Sequence, residues 1–337
     1  MRAVKSALLA STFLFTSATA ATADVKVVAS IKPVHSLVAS VMQGVSQPSL
    51  LVKGAGSPHT YSLKPSQAKE LQAADIVFWM SHDLEAFLEN SIESIAKNAK
   101  AVSLMDSHGL MKLNFREGGA FDAHDHGHDD HGDDKHDDHG HDKHDDQGDD
   151  KHDDHGHDKH DEHGHDEVDP HVWLDPQNAK SLVHEIEEHL AEIDPSNAAK
   201  YEANAKAVMK KLDALTKEIE ADLKPIRGIG YVVFHDAYQY FEKRFGVSAV
   251  GSIAVSPEVL PGAERVSELR DKVKSLNASC VFSEPQFEPK LVKTITENTD
   301  AGTGVLDPLG ANIKDGPELY FTLIRNMAKS LKDCLIN

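Results

Sequence analysis

Between His124 and His165 the chain is almost free of apolar side chains, and fourteen histidines are interleaved with aspartates and a few glycines and lysines. Such a stretch has nothing to bury against the entropy of ordering, so it is expected to be disordered. Any folded core must come from the flanking parts, with the tract as an insert. A tandem repeat runs through it: residues 135–150 read KHDDHGHDKHDDQGDD and residues 151–166 read KHDDHGHDKHDEHGHD. Imidazole suits zinc, copper and nickel, and a His-rich tract is a compositional metal signal. Its candidate weak accessory ligands are His124, His126, His128, His131, His136, His139, His141, His144, His152, His155, His157, His160, His163 and His165. The plainer reading is a solubilising acidic insert; an expression tag fits poorly with an internal, Asp-rich segment. From His124 to Asp166 eighteen acidic residues face four lysines, so −14 of the net −20 is local. The remaining chain is ordinary for a soluble protein. It has no basic face for nucleic acid and no polybasic membrane patch.

At the start of the chain Arg2 and Lys5 precede an apolar run from Ala7 to Phe15, followed by Ala18, Ala20, Ala21 and Ala23. That order predicts a secretory signal peptide over residues 1–23, with cleavage after Ala23 and Ala20 as the alternative. The apolar run is too short to anchor in a bilayer, so the mature chain is expected to be exported and not inserted in the membrane. In an oxidising compartment the two cysteines, Cys280 and Cys334, read as a disulfide, with a thiolate zinc site as the alternative. Closing a loop of some fifty residues would contribute roughly 4 kcal/mol on the chain-entropy model. Without signal and insert, about 270 residues remain, enough for two domains.

Those residues alternate. Strand-like runs at 25–30, 49–52, 76–79 and 101–104 are separated by helix-like periodicities, including Leu84, Phe87, Leu88, Ile92 and Ile95. The rhythm returns with strands at 231–234, 247–252, 280–283 and 303–306. The expected fold class is α/β: two lobes, each with a mostly parallel four-stranded sheet. Between them Tyr201, Ala205, Val208, Leu212, Leu215 and Ile219 recur at steps of four and three. Asp194 reads as the N-cap and Pro195 as the first residue of this long rigid helix. A coiled-coil dimer is the alternative for the stripe, but a second α/β region after it favours an intramolecular spine. The expected boundaries are a first lobe over 24–193 (with the disordered loop at 116–167), a linking helix over 194–224, and a second lobe over 225–337.

Eight histidines lie outside the tract. His35, His82, His108, His184 and His189 read as surface or capping residues. His59 sits in the loop leaving a predicted strand, after Gly54, Ala55, Gly56, Ser57 and Pro58. His171 lies in the Pro-flanked block DPHVWLDP, residues 169–176. His235 ends the strand 231–234 and begins the next helix. Ligands in open α/β sheets bind beyond the carboxyl ends of strands, which places His59 and His235 at binding positions.

At this point the chain resembles a known family. Ser57-Pro58-His59 with Tyr61-Ser62-Leu63, the DPHVWLDP block, FHDAYQYF at 234–241, SEPQF at 283–287 and LDPLG at 306–310 are similar to the ZnuA type of the cluster A-I metal-binding family. These are periplasmic zinc-binding proteins of bacterial zinc ABC transporters. The likeness covers essentially the whole mature chain, the His/Asp-rich insert included. It implies two α/β lobes joined by a long helix, with the metal buried between them. It also implies His59, His171 and His235 as metal ligands. Asp307 matches the carboxylate that completes the site in manganese-type relatives, and water is the alternative fourth ligand. Cys280 and Cys334 match a disulfide of zinc-type members.

Three imidazoles with a carboxylate or water are the tetrahedral set that Zn²⁺ prefers. Mn²⁺ favours more oxygen. Cu²⁺ would bind at least as well, so its exclusion must come from geometry and availability. Trp173, Phe234 and Tyr61 are expected to supply an apolar, aromatic setting. The leading function is therefore a monomeric transport protein that captures periplasmic Zn²⁺ and delivers it to a membrane ABC permease. The competing classes are a manganese-type binding protein, a zinc hydrolase with Glu284 as base, and a sequestration or adhesion protein working through the tract. No HExxH pairing is present to support the hydrolase.

Overall fold

The computed structural model describes residues 24–116, 121, 168–253, 262–287 and 289–336. The expected signal segment and the histidine tract lie outside these described residues.

The two flanks form two parallel four-stranded sheets. The first holds β1 (Val27–Ala29), β2 (Ser49–Leu50), β3 (Ile76–Trp79) and β4 (Lys100–Ser103), in the order β2-β1-β3-β4. The second holds β5 (Tyr231–Val233), β6 (Ala249–Ser252), β7 (Cys280–Ser283) and β8 (Gly302–Val305), in the order β6-β5-β7-β8. Every adjacent pair is parallel. Val27, Val28, Ala29, Ile76, Val77 and Phe78 are all buried, as a parallel sheet covered on both faces requires. In each sheet successive crossovers leave in opposite directions between the first and third strands. There the carboxyl ends open a crevice suited to a ligand.

Helices α1 (Lys32–Val41), α2 (Pro65–Gln72) and α3 (Ala86–Ile95) serve the first sheet. The second is served by α6 (Gln239–Phe245), α7 (Ala263–Ser275), α8 (Pro289–Thr296) and α9 (Leu319–Ile336). Between them α4 (Pro176–Ile193) and α5 (Ala198–Leu223) form a helical hairpin. The stripe Tyr201, Ala205, Val208, Leu212, Leu215, Ile219 and Leu223 of α5 is buried. It packs on α4, on α1 from the first half and on α9 from the second, within one continuous core. At 1.5 Å per residue α5 is about 39 Å long, enough to brace both sheets.

The helix does not start where the sequence suggested. Asp194 ends α4, and its carboxylate accepts hydrogen bonds from Ser196 Oγ (2.6 Å), Asn197 Nδ2 (2.6 Å) and Tyr201 OH (2.8 Å). A side chain suited to capping a helix is used to close the hairpin turn, and α5 begins three residues after Pro195.

The lobes also meet along a polar seam. Lys32 on α1 is buried, donating to Ala311 O (3.1 Å) and Ile313 O (2.7 Å) and pairing with Asp315 (3.0 Å). One and two turns on, Ser36 and Ser40 donate to Pro317 O, at 3.2 and 3.0 Å. Cys280 and Cys334 form a disulfide that ties β7 to α9, so neither cysteine is a metal ligand. Gly302 leaves it room: a Cβ there would stand 3.2 Å from Cys334 Sγ and 3.4 Å from Cys280 Sγ. Among the described residues no helix is long and apolar enough to cross a membrane.

Candidate metal centre

His59, His171 and His235 come from three distant stretches and converge. One ring nitrogen from each lies within 4.8 Å of the others. Their ring centroids are 5.7, 6.0 and 5.3 Å apart. The Nε2 atoms of His171 and His235 face each other at 3.5 Å. Two nitrogens bonded at about 2.0–2.1 Å to one tetrahedral zinc stand about 3.3–3.4 Å apart, so this spacing fits that ion. Trp173, Phe287, Pro308 and Leu309 wall the same pocket, and Phe287 stacks on Phe234 with centroids 4.6 Å apart.

Two of the imidazoles are locked from behind. Asp169 Oδ1 lies 2.6 Å from His171 Nδ1 and also accepts the backbone N–H of His171 at 2.9 Å. Its other oxygen accepts Gln239 Nε2 at 2.7 Å, and its carbonyl accepts the Tyr240 hydroxyl at 2.8 Å. Glu284 Oε1 lies 2.7 Å from His235 Nδ1. A carboxylate on Nδ1 fixes the tautomer with its proton there, leaving the Nε2 lone pair for the metal. Burial alone would push the His235 pKa down, but the charge and hydrogen bond of Glu284 outweigh it and hold the pKa above the ordinary histidine value. His59 is held differently, half-buried on the loop after β2. Gly54 has a φ of +64°, and a Cβ on Gly56 would stand 3.0 Å from the Tyr61 ring.

The DPHVWLDP block is a compact instruction for this geometry. Asp169 orients His171. Trp173 donates Nε1–H to Pro308 O at 2.9 Å, tying the block to the second lobe. Asp175 caps α4 through the Gln177 N–H and takes a bidentate Arg244 at 2.6 and 2.7 Å.

Residues 27–334 match the family described as zinc-uptake complex component A, periplasmic. The chain belongs to that family. Its members are periplasmic solute-binding components rather than enzymes. Among curated proteins, the high-affinity zinc uptake system protein ZnuA of Brucella abortus (strain 2308) is 59% identical over 337 residues, covering 99% of each chain. The protein of the same name from Paracoccus denitrificans is 40% identical over 332 residues, covering 98% of each. A crystal structure of a ZnuA shares the fold, with a TM-score of 0.70 at 23% identity, covering 93% of this chain and 100% of that one.

For a member of this family, the placement of the other candidates is informative. Asp307 is not grouped with the three histidines. Its carboxylate accepts the backbone N–H groups of Leu309 (3.1 Å), Gly310 (2.8 Å) and Ala311 (2.6 Å), and Gln286 Nε2 at 3.2 Å. Tyr61 turns away from the pocket, donating to Leu51 O (3.3 Å) and lying against Phe87. His235 does not begin a helix, since α6 starts only at Gln239. His82, His108 and His184 are exposed, and His189 is half-buried against Glu185 at 3.0 Å. His35 is buried, with Nε2 3.1 Å from Pro48 O, because α1 is wedged between the first sheet and the second lobe. Sequence reasoning assigned no role to Asp169, two residues before His171, and read Glu284 only as a possible base. Position at the end of β7, beside β5, was the available signal for Glu284.

Proposed function

We propose that this chain captures Zn²⁺ in the periplasm through His59, His171 and His235 and passes it to the membrane permease of an ABC importer, working as a monomer. The observation that carries the reading is the pair of buried imidazoles whose Nε2 atoms face each other at 3.5 Å while each Nδ1 is held by a carboxylate. Such a donor set is built for one tetrahedral, nitrogen-preferring ion, and Mn²⁺ would be left short of oxygen. The ligands come from separate stretches on both sides of α5, so binding and the relative placement of the lobes are coupled. Because α5 is continuous and buries one stripe along its length, release proceeds by small tilts and loop movement rather than wide opening. The fourteen tract histidines act as weaker accessory ligands that keep zinc near the cleft.

Isothermal titration of the mature protein with zinc tests the site. One tight equivalent is expected for wild type and none for His171→Ala, with the folded circular dichroism spectrum retained. Near-wild-type tight binding by His171→Ala would sink the assignment.

A further inference from the structure

Three imidazoles leave one position of a tetrahedral ion open, and two unpaired acceptors stand in the same pocket. Glu284 and Gln286, from the turn after β7, line it together with the histidines. Glu284 Oε2 and Gln286 Oε1 are both buried without a hydrogen-bond partner, which native structures rarely tolerate. The Tyr238 hydroxyl stands near the Glu284 carboxylate and donates to Leu306 O at 3.4 Å.

The chemistry of each group settles which atom is left over. Gln286 donates Nε2–H to Asp307 Oδ1 at 3.2 Å. A carboxylate engaged by three backbone N–H groups can only accept, so the amide oxygen is the free end of Gln286. Glu284 cannot bond the ion directly while Oε1 holds His235 Nδ1. The two ring nitrogens point away from each other, which puts that oxygen about 6–7 Å from a metal on Nε2 and Oε2 no nearer than about 4–5 Å. That is out of bonding range and within reach of a ligand on the ion.

We propose that Glu284 and Gln286 form an acceptor pair that holds a water molecule on the open fourth position of the bound metal, with Asp307 as the positioning residue that aims Gln286. The proposal rests on the three-histidine reading above. Two acceptors match the two O–H groups of one water and repel an anion, so the pair selects the fourth ligand: neutral water is kept and anions are turned away. Asp307 thus reaches the metal through Gln286 and not as a ligand.

The test uses Co²⁺ as a spectroscopic probe in full-length mature protein, with azide as the competing anion. Wild type should bind one Co²⁺ and respond weakly to azide in its visible d–d bands. Gln286→Leu should keep one Co²⁺ and bind azide about tenfold more tightly, the effect of losing one hydrogen-bond acceptor. Gln286→Met, closer in length, should behave alike and guards against a folding defect in the first variant. Equal azide affinity in wild type and both variants overturns the acceptor pair. So does a zinc-edge absorption spectrum of wild type showing a carboxylate in place of a water oxygen. If His171→Ala binds Co²⁺ as wild type does, the three-histidine reading falls first and the pair with it.

Discussion

The two sheets share one strand order and differ in what fills the crevice between their first and third strands. In the first lobe Glu85 plugs it, fully buried. Its carboxyl accepts the N–H groups of Met80 (3.0 Å) and Ser81 (3.1 Å), which follow β3, and the hydroxyl of Ser30, which follows β1. In the second lobe His235 leaves β5 and Glu284 leaves β7, and their contact at 2.7 Å orients an imidazole toward the pocket. Each crevice uses a carboxyl. What it faces decides the outcome: backbone and hydroxyl donors make a plug, an imidazole is aimed into the pocket. The first lobe reaches the pocket with His59 from its edge-strand loop, and His171 reaches it from the segment entering α4.

The largest expected effect tests that division of labour. His235→Ala removes a buried, preorganised imidazole and should weaken zinc binding about a thousandfold or more, beyond the 10–100-fold expected of Glu284→Gln, which acts from behind the imidazole. His59→Ala should cost less than His235→Ala, because part of what His59 contributes is spent on ordering a Gly-rich loop. Competition titrations with a zinc chelator rank the three; a His59 variant weaker than the His235 variant would reverse the assignment of rigid and adaptable halves.

A second difference between the lobes is covalent. The Cys280–Cys334 bridge, with a sequence separation of 54, spans only the second lobe, and its loss should lower stability by about 4 kcal/mol on the chain-entropy model. Because it lies on the β7–β8 edge and α9, Cys334→Ser should leave zinc stoichiometry unchanged. Denaturant unfolding alongside calorimetry separates the two effects.

How much of this could be read from the sequence depends on whether the cause was local. The inner strands were legible because buried parallel strands are short apolar runs bounded by turn residues, whereas the largely exposed edge strand β8 was legible only from its place in the strand-helix rhythm. The convergence of His59, His171 and His235 was legible because each sits in a motif with a constrained loop. Contacts between distant segments were not. Nothing in 3.6-residue periodicity shows that the polar side of α1 is covered by the second lobe, which is why His35 and Lys32 are buried. Asp194 resembles a helix cap by composition, and only the packing of α4 on α5 makes it a hinge-turn acceptor. Likewise Asp307 carries the chemistry of a ligand, and only the fold shows that its oxygens accept the N–H groups of Leu309, Gly310 and Ala311.

The plug in the first lobe should show in the pH dependence of stability. Burial raises the Glu85 pKa from 4.5 to about 7, against the pull of its hydrogen bonds. The folded chain then keeps a proton that the unfolded chain gives up, so stability falls as pH rises from 4.5 to about 7. By linkage the loss is about 3 kcal/mol. Glu85→Gln cannot ionise and should flatten that slope in urea melts at pH 5 and pH 8. A slope equal to wild type would show that Glu85 is already ionised in the fold and that the plug is a charged one.

The smallest expected effect on the cleft comes from the largest deletion. Where the chain leaves for the histidine tract and returns from it, the two ends are pinned together. Asn114 and Val168 form an antiparallel bridge, and Asp169 N–H donates to Leu113 O at 2.9 Å. Arg116 Nε reaches Asp236 at 2.9 and 3.1 Å, and its NH1 reaches Glu242 at 2.7 Å. Phe121 lies 4.1 Å from the Arg116 guanidinium. That stem holds the segment bearing His171 against the one bearing His235 through contacts among the described residues. Removing residues 125–165 should therefore leave one tight zinc site within roughly 0.5 kcal/mol of wild type. It should eliminate the weak sites that the tract's composition predicts. Those sites require neutral imidazole, so in the intact protein they should fade below about pH 6. Tethering keeps their zinc near the cleft at high effective concentration, so growth should suffer only when zinc is severely scarce. A tract with every histidine changed to serine that supports wild-type growth under chelation would reduce it to a solubilising insert. If the deletion instead abolished the tight site, the ligands would have to lie in the tract, and the difference between cleft and insert would be the reverse of the one drawn here.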